Sequence, residues 1–427
     1  MNGSSGKITR WLEKAPAPLF VLYATSAAFI TYFCMYAFRK PLTVGTFENV
    51  VGWEGGIDFK TALVISQLVG YAASKWIGIK VVSEMTAARR ALAILLLIGI
   101  AEIALVLFAL LPTPLNLIPL FFNGLMLGMI WGLVFSYLEG RRTSEILGAG
   151  LATSFIVSSG VVKSVGKYLI LDWNVSEYWM PALTGALFFV PLFIAVFFLS
   201  KLPQPTEEDE MERSARTPMH KAERLSFLKD YMVGLLALVL AYVVFTAFRD
   251  FRDNFAAEIW IALGFGDAPS MFTLSEAPAT LIVLVVLGAT MWIKSSKFAL
   301  KLYHMIIAVG AGILALATYA FQAGIIGGAL WMVLLSLGLY LAYVPFNCIL
   351  FDRMMAAVKK PGNAGFLIYL ADASGYVGSV GLMLYKSLAA PDLNWIEFLE
   401  GFAYITAAVG LILVVLSNLY FSKRIHT

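Results

Sequence analysis

The chain has 427 residues, of which 60% are hydrophobic and only 14% charged, with a net charge of +4. That balance lies far from a soluble domain and is too weakly basic to point to nucleic acid. Cys34 and Cys348 both sit in apolar runs and read as small packing residues, so neither a disulfide, a metal nor another cofactor is expected.

Lys7, Arg10 and Lys14 precede the first apolar run, which leads into Arg39 and Lys40 without a small-residue cleavage site. It therefore reads as a retained helix rather than a signal peptide. Runs close to the roughly 20 residues that a membrane crossing needs then recur along the chain. They predict spans over 17–40, 60–79, 91–111, 115–138, 146–170 and 181–200. A second set follows over 231–260, 271–293, 300–322, 326–351, 363–388 and 397–421. In lipid the backbone must satisfy its own polar groups, so these runs are helices. The expected fold is all-α, with about twelve membrane spans of that length in two pseudo-symmetric six-helix bundles. Residues 1–200 form the first bundle, 201–229 a solvated cytoplasmic linker, and 230–427 the second bundle. The linker carries the acidic run Glu207-Glu208-Asp209-Glu210, followed by Arg213, Arg216, Lys221, Arg224 and Lys229.

Most of the basic residues fall on alternate loops. These hold Lys7, Arg10 and Lys14; Lys80, Arg89 and Arg90; Arg141 and Arg142; the linker; Lys294, Lys297 and Lys301; Arg353, Lys359 and Lys360; and Lys423 and Arg424. Cytoplasmic loops carry such an excess, so both termini are expected in the cytoplasm. An internal repeat supports two related halves. Ala149-Gly150 and Ser159-Gly160-Val161-Val162-Lys163-Ser164-Val165-Gly166 match Ala364-Gly365 and Ser374-Gly375-Tyr376-Val377-Gly378-Ser379-Val380-Gly381 at one offset. Ala37-Phe38-Arg39 likewise matches Ala247-Phe248-Arg249.

The charges within or beside spans carry the chemistry. An arginine or lysine at the bilayer centre costs about 2.5–3.5 kcal/mol, so it faces a wet cavity or a partner. Arg39, Lys75, Lys163 and Arg249 are the candidate cargo contacts. A guanidinium fork suits carboxylate or phosphate oxygens. Each also has a plainer reading. Arg39, Lys75 and especially Lys40 could snorkel to headgroups. Arg249 could pair with Asp253, four residues on, with Asp250 and Glu258 also near. Asp372 and Glu102 are candidates for proton coupling or for contact with polar cargo, or are counter-charges. Glu276 is expected at the outer surface. Glu84 with Arg89 and Arg90, and Glu139 with Arg141 and Arg142, are expected at cytoplasmic helix ends as gating contacts. Gly124, Gly128 and Gly132, and Gly375, Gly378 and Gly381, read as close-packing positions.

Four segments carry a family resemblance: Tyr36-Ala37-Phe38-Arg39-Lys40; Gly70-Tyr71-Ala72-Ala73-Ser74-Lys75-Trp76-Ile77; Arg249; and the stretch from Gly338 through Tyr343-Val344-Pro345 to Lys359-Lys360, Ala364-Gly365-Phe366 and Gly375-Tyr376. Together they resemble the major facilitator superfamily. Within it they are similar to the organophosphate:phosphate antiporters, which include the glycerol-3-phosphate transporter. Ser158 or Ser159 stands where that family carries a histidine. The resemblance implies a monomeric secondary transporter of the bacterial inner membrane, working by alternating access on a small organic anion such as a phosphorylated or acidic sugar-like solute. The partners expected are that anionic solute and membrane lipid. Two other functions fit the same residues: proton-coupled symport of a neutral or zwitterionic solute, and ligand sensing without transport. An enzyme is not expected, because no nucleophile motif or metal cluster is evident.

Overall fold

A computed structural model describes residues 6–426, except 49, 84, 140, 142, 207–208, 210–220, 291–292 and 359–363. Among these residues there is no strand. The long helices are α1 (Ala17–Tyr36), α2 (Phe59–Ser83), α3 (Ala87–Leu110), α4 (Leu117–Phe135), α5 (Ser144–Leu171) and α6 (Met180–Leu199). They continue as α7 (Met232–Asn254), α8 (Ser270–Thr290), α9 (Ser296–Gln322), α10 (Gly328–Cys348), α11 (Ala364–Leu388) and α12 (Trp395–His426). Eleven of them are long and apolar enough to cross a membrane. The other, α2, has 25 residues and carries Lys60, Gln67, Lys75 and Lys80 between its apolar ones. Exposed apolar side chains follow helical spacing, as in Leu92, Leu96, Ile100, Ile103 and Leu107 on α3 and Leu183, Leu187, Val190 and Ile194 on α6. Such stripes suit lipid rather than water. The chain is an integral membrane protein with the twelve-helix major facilitator-type fold.

The helices differ from the predicted spans where proline or irregular backbone intervenes. α1 stops at Tyr36 rather than continuing to residue 40, and Pro41–Val44 forms a 3₁₀ turn. Pro41 lacks an N–H and disfavours helix in the residue before it. The predicted span 231–260 breaks at Phe255, leaving a short helix at Ala256–Ala262. α4 bends at Gly128 and Met129, between Leu117–Leu127 and Ile130–Phe135. α10 ends three residues after Pro345, and a separate helix runs over Leu350–Val358.

The chain forms two compact units, residues 1–54 with 62–214 and residues 55–61 with 215–427. In the first, α1 packs on α5 and α6, and α3 packs on α4 and α6. In the second, α7 packs on α11 and α12, and α9 packs on α10 and α12. The repeated segments 159–166 and 374–381 lie in α5 and α11. Glycines allow the closest helix approaches. A Cβ on Gly70 would meet the Phe121 carbonyl, and one on Gly124 the Gln67 carbonyl, so α2 and α4 touch backbone to backbone. Gly375 and Gly378 similarly admit Tyr242, Val243 and Thr246 of α7, whereas Gly381 has nothing within 4 Å.

The segment after α1 is fixed from a distance. The Glu177 carboxylate accepts hydrogen bonds from the backbone N–H of Thr46 (2.7 Å) and of Phe47 (2.8 Å). Phe47 has a positive φ of 51°, which an L-residue adopts only under such constraint.

Candidate functional site

In the first unit the polar groups gather where α1 ends. Gln67, Tyr71 and Lys75 recur every four residues on α2 and so share one face. The Arg39 guanidinium lies 3.9 Å from the Tyr71 ring centroid, and the Lys75 ammonium 5.1 Å from the same ring. Stacking holds the guanidinium in a fixed plane. Two amides hold the backbone beside it. The Gln67 amide donates to the Asn123 side-chain oxygen (2.8 Å) and to the Arg39 carbonyl (3.4 Å). The Asn123 amide donates to the carbonyls of Phe38 and Ala101, both at 3.0 Å. The bonds to Phe38 and Arg39 satisfy carbonyls that the early end of α1 leaves outside a helical ladder.

Arg39, Lys40, Lys75 and Lys163 are all buried, at 5%, 4%, 8% and 2% exposure. The burial of Lys40 differs from the headgroup position open to it in the sequence, because the turn into Pro41–Val44 carries it inward against α5 and α6. Glu102 lies on α3, next to Ala101. Its Oε2 atom has no hydrogen-bond partner and rests against Gly185 of α6 and the Phe38 ring.

The second unit pairs its arginines. Arg249, within α7, reaches the neighbouring Asp250 at 2.6 Å and lies 4.2 Å from the Tyr343 ring centroid. Asp250 also accepts from the Ser379 hydroxyl of α11 at 2.7 Å. Arg252 is buried and bonds Glu276 of α8 at 2.7 Å, with Ser336 of α10 beside both. Glu276 is therefore not at the surface, as its place near a predicted span start suggested, but is 3% exposed. It turns inward because Arg252, one helical turn from Arg249, offers it an opposite charge away from water. Asp372 accepts a hydrogen bond from the Tyr242 hydroxyl. That hydroxyl also lies 3.1 Å from the Tyr343 hydroxyl and 3.1 Å from the Asn347 side-chain oxygen.

Of the predicted gating residues, Arg89 and Arg90 stand in the first turn of α3. Arg89 is exposed. Arg90 donates to the Ser136 carbonyl at 2.9 Å. Arg141 donates to the carbonyls of Tyr137 and Pro203 and lies 4.9 Å from the Phe20 ring. Burial pushes the Arg141 pKa down from its ordinary value, and the nearby Asp209 carboxylate opposes that shift. Glu139 is half-buried, while Glu84 and Arg142 lie outside the described residues. Sequence reasoning missed Tyr71 as the ring beneath Arg39, the Gln67–Asn123 pair and the Tyr242 hydroxyl. An amide inside an apolar run was the available signal for the pair, since buried amides require partners.

Many solved chains share this fold. A bacterial homologue of the human drug peptide transporters PepT1 and PepT2 superposes with a TM-score of 0.63 at 12% identity, covering 95% of this chain and 99% of the other. A D-xylose-proton symporter gives 0.58 at 15% identity, with 93% and 96% covered. The nucleoside transporter NupG (D323A mutant) gives 0.59 at 17% identity, with 94% and 99% covered. No curated protein sequence matches the chain. The family model described as "Family of unknown function (DUF5690)" matches residues 41–424, and the chain belongs to that family.

Proposed function

We propose that this protein is a secondary active transporter that moves a small organic anion, a phosphorylated or acidic sugar-like solute, by alternating access. The buried cationic group of the first unit carries this reading: Arg39 stacked on Tyr71, with Lys75 at the same ring and Lys40 and Lys163 also enclosed. Buried cations attract the opposite sign, and low-dielectric walls strengthen the attraction. Arg39 supplies the planar fork and Lys75 a point charge. The proposal keeps the monomer, the inner membrane and the cytoplasmic termini that the sequence implies.

Uptake into proteoliposomes tests it, with labelled glycerol 3-phosphate, glucuronate, glucose and alanine as the panel. The anions are expected to accumulate. Each hydrogen bond to a charged oxygen contributes roughly 1.5–3 kcal/mol, so Arg39→Lys should lower anion uptake by about 10- to 150-fold. Expression and thermal unfolding are checked in parallel. Normal anion uptake by a well-folded Arg39→Lys variant would exclude this site. Uptake of glucose or alanine alone would instead favour proton-coupled symport of a neutral or zwitterionic solute. The hydrogen bond from Tyr242 to Asp372 supports that second reading, since it offers a carboxyl a place to exchange a proton.

A further inference from the structure

We infer that Glu102 is a membrane-embedded proton site, tied to the Arg39 group by the Gln67–Asn123 amides. Three observations support this. Glu102 stands in the middle of an apolar helix, and one of its carboxyl oxygens is buried with no hydrogen-bond partner. That oxygen fills the notch left by Gly185, where a Cβ would collide with it and stand 2.9 Å from the Phe38 ring. An ionised carboxylate pressed on glycine and phenylalanine gains nothing for its lost hydration, whereas a neutral carboxyl fits there.

The third observation is the connection. One Asn123 amide holds both the Phe38 and the Ala101 carbonyls, and these residues immediately precede Arg39 and Glu102. Gln67 joins Asn123 to the Arg39 carbonyl. A movement of Glu102 out of its notch is therefore passed to the backbone that sets Arg39.

α4 and α6 pack on α3, and neither contains an ionisable side chain. The end of α1 brings Arg39 and Lys40, and α2 brings Tyr71 and Lys75 through the Gln67 face. On α3 itself, Arg89 and Arg90 lie in the first turn. Loss of the proton would thus place an anion one residue from the Ala101 carbonyl, which shares the Asn123 amide with the Phe38 carbonyl beside Arg39. A proton leaving Glu102 and an anionic solute arriving at Arg39 would act in opposition, and that opposition is how coupling arises.

This inference rests on the transport reading only for what the coupling achieves, and the test separates the two. The full chain in proteoliposomes is treated with dicyclohexylcarbodiimide, which adds to protonated carboxyls in apolar surroundings, and the adducts are mapped by mass spectrometry. Glu102 is expected to be labelled at pH 6 and to lose most labelling by pH 9, with no adduct at that position in Glu102→Gln. Gly185→Ala, which fills the notch, should move the half-labelling pH down by about one unit or more. Gln67→Met, which cuts the link to Arg39, should also move it. Absence of a Glu102 adduct at pH 6 in folded protein would overturn the proton site. An unmoved profile in Gln67→Met would overturn the connection to Arg39. Failure of the wild type to take up glycerol 3-phosphate or glucuronate would sink the organic-anion reading and leave the labelling result standing.

Discussion

At the scale of single residues, the second unit shows how weakly sequence position reports on burial. Glu276 lies just inside a predicted span, next to a polar serine, and nothing local marks it as enclosed. Its partner Arg252 is 24 residues away, and only the packing of α7 against its neighbours brings the two to 2.7 Å. The pair is incompletely satisfied: Nε and Nη1 of Arg252 and Oε2 of Glu276 lack hydrogen-bond partners. Removing one partner alone strands a buried charge, which costs about 3–5 kcal/mol. Arg252→Leu should therefore lower the unfolding temperature in detergent by several degrees, and the double change Arg252→Leu with Glu276→Leu should recover most of that loss. A double variant less stable than either single one would show that the pair is net stabilising. By contrast, Arg39 was legible at once, because a guanidinium beside a membrane span demands a reason. The ring beneath it was harder to foresee, since tyrosines are common in spans.

At the scale of helices, the apolar runs gave the number of long helices and most of their limits. The departures come from backbone chemistry rather than hydropathy. Pro41 ends α1 early, Pro345 precedes the end of α10, and irregular backbone at Phe255 and around Gly128 divides what apolarity alone reads as continuous. The same chemistry sets the glycine positions apart from one another. At Gly70 and Gly124 the opposing atoms are backbone carbonyls, which cannot yield as a flexible side chain can. Gly70→Ala and Gly124→Ala should force α2 and α4 apart and cost about 1–3 kcal/mol each. Gly99→Ala and Gly312→Ala face open space and should be neutral or slightly stabilising, because alanine favours helix. Thermal unfolding of the four variants tests this ordering, and equal losses across them would refute the close-crossing account.

At the scale of the whole molecule, alternate loops carry most of the basic residues, and the membrane orientation proposed from that pattern has a direct check. Reporter fusions after Lys229 and after Lys423 should report a cytoplasmic location, and a fusion after Gly56 an external one. An external signal at Lys229 would invert the arrangement. The Glu177 clasp on Thr46 and Phe47 adds a constraint on biogenesis. The two ends of that contact are 131 residues apart in the chain. At synthesis rates of about 5–20 residues per second, residue 177 emerges roughly 7–26 s after residue 46. The segment that follows the first helix must therefore wait unclasped until the loop before the sixth helix has been delivered. The Thr46–Phe47 segment thus acquires its final setting only when that loop has been made. A ribosome stalled before that loop would leave a first helix present in the membrane with the segment after it unclasped.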